Sequence, residues 1–222
     1  SMRALFFQLL DLLYPPKCVF CRRLLPRGTD GVCAACERTL PYSDAPRSGT
    51  YFETCVAPLR YEGTVREALH RYKFGGLSCY APALAVLVAD SVRASGIAAD
   101  LVTWVPVSRK RRKKRGYDQA ELLARNVAKH LALPCAPLLQ KTVDNPAQSG
   151  LGAAERRGNV LGVYCAMDPG RIAGARILLV DDIVTTGSTL SECSRVLLTA
   201  GAALVSCAAV ASTADGQKEQ VE

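Results

Sequence analysis

The chain has 222 residues, 49% of them hydrophobic and 22% charged, with a formal net charge of +8 from 28 Lys+Arg against 20 Asp+Glu. This globular composition excludes disorder and collagen-like structure, and the length suits one domain with a small appended module. The longest unbroken apolar stretch, Ala83 to Ala89, falls far short of the roughly 18 residues that a membrane-spanning helix needs.

At the N-terminus, Ser1-Met2 reads as a cloning remnant. Leu5, Phe6, Leu9, Leu10 and Leu13 share one face of a helix predicted over 3–13, and Pro15-Pro16 stops it. Arg3 and the apolar run imitate a secretory signal, but Gln8 and Asp11 interrupt the run and no small-residue cleavage site follows. A cytoplasmic location is expected.

Ten cysteines would suggest a disulfide framework only in an oxidising compartment. Four of them are patterned instead: Cys18-x2-Cys21 and Cys33-x2-Cys36, with eleven residues between the pairs. Two such knuckles offer four thiolates to one tetrahedral zinc ion. Arg22, Arg23, Pro26, Arg27, Gly28 and Gly31 supply the polar turn between them. The doubling of the motif argues against a redox pair. Four thiolates leave no open position, so the metal is expected to build structure. Cys55, Cys79, Cys135, Cys165, Cys193 and Cys207 read as small core residues.

The predicted organisation is an N-terminal helix within 1–16, a four-cysteine module over 17–40, a linker over 41–54, a larger domain over 55–214 and a tail over 215–222. Within the larger domain, 55–61 suits a strand. Val65, Ala68, Leu69 and Tyr72 give 64–73 helical periodicity, ended by Gly75-Gly76. Leu84, Leu87, Val88 and Val92 repeat the pattern over 80–95. A short apolar run, Leu101 to Val107, precedes a helix predicted over 117–132. Strands over 160–166 and 177–180, a helix over 187–200 and a strand over 203–210 follow. Strands alternating with helices imply a parallel α/β sheet covered on both faces.

Between the run at 101–107 and the next helix lies Arg109-Lys110-Arg111-Arg112-Lys113-Lys114-Arg115, seven cations in seven positions. Without them the chain has 21 basic against 20 acidic residues, so one block carries nearly all the excess charge. Such a block suits a polyanion, or forms a solvated basic loop; the charges alone leave both open.

Ile177-Leu178-Leu179-Val180-Asp181-Asp182-Ile183-Val184-Thr185-Thr186-Gly187-Ser188-Thr189 is the most informative segment. A buried strand ends in paired carboxylates, and a hydroxyl-rich loop then opens a helix. Ligands of open parallel sheets bind beyond the carboxyl ends of strands. Backbone N–H groups, hydroxyls and a helix N-terminus suit a phosphate. Two carboxylates would repel that phosphate, so ribose hydroxyls or a divalent ion are expected at Asp181 and Asp182. Neither a dinucleotide-binding nor a P-loop glycine pattern is present.

This segment resembles the phosphoribosyl diphosphate (PRPP) signature of type I phosphoribosyltransferases. That resemblance implies a twisted, mostly parallel sheet with flanking helices, beside a small N-terminal zinc ribbon. It also implies that Asp181 and Asp182 hold the ribose hydroxyls, and that Thr185, Thr186, Gly187, Ser188 and Thr189 hold the 5′-phosphate. Val107, Ser108, Arg109 and Lys110 then fall where such enzymes bind the diphosphate, with Mg2+. Residues 140–158 fall at the mobile loop of that fold. Arg156 and Arg157 either close on the diphosphate or cap a surface helix, and Lys73 either enters the cleft or snorkels at the surface.

With the four cysteines, Tyr72-Lys73-Phe74-Gly75-Gly76, Val105-Pro106-Val107, Arg115-Gly116-Tyr117-Asp118-Gln119-Ala120 and the later Gln148, Arg156, Asn159 and Val160, the chain is similar to the ComF family of competence-associated proteins. The family pattern implies binding of PRPP and single-stranded DNA during uptake or processing of transforming DNA, and partnership with a DNA-translocating helicase. Lys110, Arg111, Arg112, Lys113, Lys114 and Arg115 are the expected DNA contacts. The alternative is an active phosphoribosyltransferase with an unidentified acceptor. Purine-salvage relatives often place an acid where this chain has Thr185, and threonine is a poor general base near neutral pH. No catalytic residue is assigned from sequence.

Overall fold

Arg176–Val180 (β6) is an almost unbroken apolar run because both of its faces are covered. Leu178 and Val180 face one buried cluster, and Ile177 and Leu179 the other, the alternation that a pleated strand imposes. In this computed structural model residues 15–26, 29, 31–43, 45–142 and 162–213 are described. The helix predicted over 3–13, most of the loop over 140–158 and the C-terminal tail lie outside the described residues, as do Gln148, Arg156, Arg157, Asn159 and Val160.

In chain order the elements are α1 (Ala34–Thr39), β1 (Cys55–Val56), β2 (Leu59–Arg60), α2 (Gly63–Phe74), α3 (Ala81–Ala94), β3 (Leu101–Trp104), α4 (Arg109–Arg115) and α5 (Gln119–Leu131). Then come β4 (Leu139–Lys141), β5 (Tyr164–Ala166), α6 (Pro169–Ile172), β6, β7 (Ile183–Val184), α7 (Ser188–Thr199), β8 (Leu204–Ala208) and β9 (Ala211–Ser212). The main sheet has the order β1-β8-β6-β3, with every neighbouring pair parallel. The expected parallel α/β sheet is therefore present.

Helices α2, α3 and α5 cover one face. Val65, Ala68, Leu69 and Tyr72 of α2, Leu84, Ala85 and Val88 of α3, and Leu123, Ala124 and Val127 of α5 are all buried there. Alanines along α3 and α5 let those two helices pack directly together. On the opposite face α7 buries Leu190, Cys193 and Leu197.

Three strands break at one level and resume. β1, β8 and β6 continue as β2, β9 and β7, which pair in the same order as a second parallel sheet. The strand expected over 55–61 is split at Ala57-Pro58, because proline has no N–H for the ladder. On β6 the break falls at Asp181-Asp182, where Asp181 N still donates to Ala208 O (2.9 Å) and Val210 N to Asp182 O (3.1 Å). The strand expected over 160–166 is seen at Tyr164–Ala166, in an antiparallel pair with β4 that the sequence pattern did not reveal.

The segment read as a linker lies against the larger domain. Arg47 and Cys55 exchange two main-chain hydrogen bonds, at 2.9 and 2.7 Å, and Glu53 N donates to Val205 O at 2.9 Å. The cysteine module is also pinned: Arg71 of α2 donates to the carbonyls of Val19 (3.0 Å) and Phe20 (2.8 Å). At Gly31, with φ +79°, an added Cβ would lie 2.5 Å from that of Ala83, so only glycine allows this approach to α3. Of the six cysteines expected in the core, Cys55, Cys193 and Cys207 are buried, Cys135 is partly buried, and Cys79 and Cys165 are exposed. Their apolar neighbours in sequence did not guarantee burial.

Candidate functional site

The metal centre comes first in the chain. The sulfur atoms of Cys18, Cys21, Cys33 and Cys36 all lie within 4.8 Å of one another, and Cys21 Sγ and Cys33 Sγ are 3.6 Å apart. Four sulfurs each about 2.3 Å from a tetrahedral ion would be about 3.8 Å apart, so the set fits zinc. Main-chain N–H groups of Cys33 and Cys36 donate to Cys18 Sγ and Cys33 Sγ, both at 3.4 Å. The Cys36 N–H is the largest cause of the lowering of the Cys33 thiol to about 6, whereas burial and then the neighbouring thiols push the Cys36 thiol up in the metal-free cluster.

At the break after β6, Asp182 is buried and Asp181 partly exposed. Asp182 N donates to Asp181 Oδ1 at 2.8 Å. Burial, and then the charge of Asp182, push the Asp181 carboxyl well above the usual carboxylate range, while Lys73 draws it down. Lys73 reaches this pair from the last turn of α2: its Nζ is 3.3 Å from Asp182 Oδ1, with the two side chains 23% and 10% exposed. Of the two sequence readings for Lys73, the cleft is the observed one.

The hydroxyl-rich loop follows β7. Gly187 takes φ +76° at the N-cap of α7 and supplies no capping side chain, so the first-turn amides face a position a phosphate could fill. Thr186 Oγ1 and Ser188 Oγ are 2.8 Å apart, and Ser188 N donates to Thr186 Oγ1 at 3.3 Å. Thr185 and Thr189 are partly buried. Thr186, Gly187 and Ser188 line a cleft of about 340 Å³, whose other wall is the former linker at Thr50, Tyr51 and Phe52. Arg47 fixes this loop by donating to Thr185 O at 2.9 Å. Sequence reasoning missed Arg47, because nothing local marks an arginine that acts across 138 positions.

The cationic block forms a helix, α4, not a loop. Ser108 caps its start, accepting from Arg111 N at 3.3 Å, and Gly116 ends it in the left-handed region at φ 82°. Like-charge crowding is relieved sideways. Arg112 pairs with Glu121 at 3.3 Å, and Arg115 donates to Gln119 Oε1 at 2.9 Å and lies 4.7 Å from the Phe74 ring centroid. Lys110, Lys113 and Lys114 fall at i, i+3 and i+4 and are exposed together. Arg109 lies apart, lining a cleft of about 260 Å³ with Gln140, Lys141 and Thr142. Of the expected diphosphate amides, Val107 N is already donated to Asp118 Oδ2 at 3.1 Å. The other Asp118 oxygen caps α5 through Glu121 N, also at 3.1 Å, which explains a carboxylate at this position.

Two short motifs about forty positions apart are one contact. Tyr72 Oη donates to Gln119 O at 2.7 Å, Tyr117 Oη donates to Tyr72 O, and Gln119 Nε2 reaches Lys73 O at 3.4 Å. Together with Arg115 on Phe74, this network seats Lys73 beside Asp182.

A parallel sheet with a paired-acid break, joined to a four-cysteine module, defines a phosphoribosyltransferase-fold chain with a zinc ribbon. The family models agree: a phosphoribosyl transferase domain matches residues 118–222 and a double zinc ribbon domain matches residues 9–63. Competence protein F of Haemophilus influenzae is 30% identical over 206 residues, 82% of this chain and 90% of that protein. DNA utilization protein YhgH of Escherichia coli K12 is 27% identical, covering 87% of this chain and 96% of its own length. Competence protein ComFC of Bacillus subtilis is 29% identical, covering 91% and 85%. The chain belongs to the competence protein F (ComF) family. Among the described residues no helix is long and apolar enough to cross a membrane.

Proposed function

We propose that this chain acts in natural competence, in the handling of transforming DNA, as a PRPP-binding and single-stranded-DNA-binding protein. The observation that carries the donor half is the pairing of Asp181-Asp182 at a strand break with the N-terminus of α7 just beyond it, where Gly187 brings no capping side chain. Ribose hydroxyls would donate to the two carboxylates while the 5′-phosphate accepts from residues 185–189. Arg109 and the main chain at 108–110 are the diphosphate contacts, and Mg2+ would neutralise that group when bound. The DNA half rests on Lys110, Lys113 and Lys114 sharing an exposed face, spaced to follow a phosphate backbone. The zinc ribbon extends the surface and does no chemistry. The proposed site of action is the cytoplasm, where a DNA-translocating helicase would deliver the strand.

The deciding experiment is calorimetry of the zinc-loaded protein with PRPP and Mg2+, repeated with a short single-stranded oligonucleotide present. Binding of both ligands is expected; no heat with PRPP removes the donor half, and no heat with DNA removes the other. The acid pair beside the N-terminus of α7 also favours a second reading, transfer of phosphoribosyl to an acceptor. That reading predicts diphosphate release that disappears in Asp181→Asn plus Asp182→Asn.

A further inference from the structure

Two adjacent carboxylates at the end of a buried strand repel each other and lose solvation, so their readiness to accept hydrogen bonds depends on which cations stand nearby. The charged and titratable groups that face Asp182 come from several elements. Lys73 Nζ, from α2, is in contact at 3.3 Å. The Arg115 guanidinium, from α4, feels the attraction of Asp182 from farther off. Asp181 adjoins it on the strand, Asp118 from α5 adds negative charge to the pair, and the Tyr72 hydroxyl lies within its field.

Lys73 is not held there by chance rotamer choice. Its main chain is held at two carbonyls, since Tyr72 O accepts from Tyr117 and Lys73 O accepts from Gln119, and the Arg115 guanidinium lies over the next ring, Phe74. The lysine stem is largely buried, and its ammonium meets a carboxylate that is itself only 10% exposed. An ammonium fixed at 3.3 Å engages one oxygen of that carboxylate and leaves the other free to accept from a ligand.

We infer that Lys73 is a positioning residue of the sugar site: its ammonium holds Asp182 in place through one carboxylate oxygen, so that the acid pair meets a vicinal diol in a fixed geometry. This rests on the reading that Asp181 and Asp182 bind the ribose of a sugar phosphate.

The test uses the full, zinc-loaded chain and three probes: ribose 5-phosphate, inorganic phosphate, and PRPP with Mg2+. Wild-type protein is expected to bind ribose 5-phosphate. Lys73→Met is expected to weaken ribose 5-phosphate and PRPP by about tenfold or more while leaving inorganic phosphate within about twofold, and Lys73→Arg is expected to restore most of the loss. A general structural fault would weaken all three probes and would not be rescued by arginine. Ribose 5-phosphate affinity unchanged in Lys73→Met, or equal losses for sugar phosphate and inorganic phosphate, overturns the inference. Wild-type protein that binds neither PRPP nor ribose 5-phosphate overturns the underlying reading, an outcome distinct from an indifferent Lys73→Met.

Discussion

The phenolic hydroxyl of Tyr72 donates to the main-chain carbonyl of Gln119 at 2.7 Å, with both residues out of solvent. This bond ties the end of α2 to the start of α5, across the chain segment that carries the cationic helix. Replacing it with Tyr72→Phe keeps the ring and removes only the donor, so the expected cost is about 1 kcal/mol. Urea denaturation monitored by circular dichroism reads it; a midpoint equal to wild type would show that water replaces the bond without loss.

Asp181 presents an opposite effect, a destabilising group at the site. Burial first and Asp182 second raise its carboxyl above 3.8. The folded chain therefore holds this proton more tightly than the unfolded chain, and stability is full below 3.8 and is lost as pH rises through the raised value. Asp181→Asn is expected to raise the unfolding midpoint near neutral pH and to flatten its decline as pH rises above 3.8, while abolishing PRPP binding. A lower midpoint would contradict the assigned sign.

On α4 the exposed lysines separate from the arginines that pack. Lys113→Ala and Lys114→Ala together are expected to weaken single-stranded DNA binding and to reduce the slope of log K against log salt by about 1.4, since each single-strand phosphate contact contributes about 0.7. PRPP affinity should stay within about twofold, because neither lysine is among the expected PRPP contacts. Fluorescence anisotropy over a salt series measures both terms, and an unaltered slope would remove the lysine face from the interface.

For the ribbon, Cys33→Ser replaces a sulfur that stands 3.6 Å from Cys21 Sγ and accepts the Cys36 N–H. Elemental analysis is expected to find about one zinc per wild-type chain and little in the variant. The variant should also lose protease protection around Val19 and Phe20, whose carbonyls hold Arg71.

How much of this was legible in sequence depended on distance along the chain. The cysteine spacing, the helical periodicity of Val65, Ala68, Leu69 and Tyr72, and the apolar run into Asp181-Asp182 are local patterns, and each is found where expected. Lys73 carried the right residue type, but its partner lies 109 positions away, so periodicity alone could not choose between cleft and solvent. Arg109–Arg115 misled because seven like charges suggest a loop. Ser108 and Gly116 cap the segment, while Gln119 and Glu121 accept two of its arginines. Pro41 to Thr50 has the composition of a linker, yet a bridge between Arg47 and Cys55 sets its end as a wall of the cleft beside Thr186, Gly187 and Ser188.

Three neighbouring strands that lapse together and then resume give the sheet a terrace. The residues standing on it, Asp181 and Asp182 among them, lie between the two runs of the ladder and are each held by a single interstrand main-chain bond. Below, Ile177 to Val180 remain locked in register with Leu101 to Trp104 and Val205 to Ala208. Exchange of side chains on the terrace therefore leaves the foundation unaltered, and descendants of this architecture can drift toward new ligands without first having to reinvent a fold.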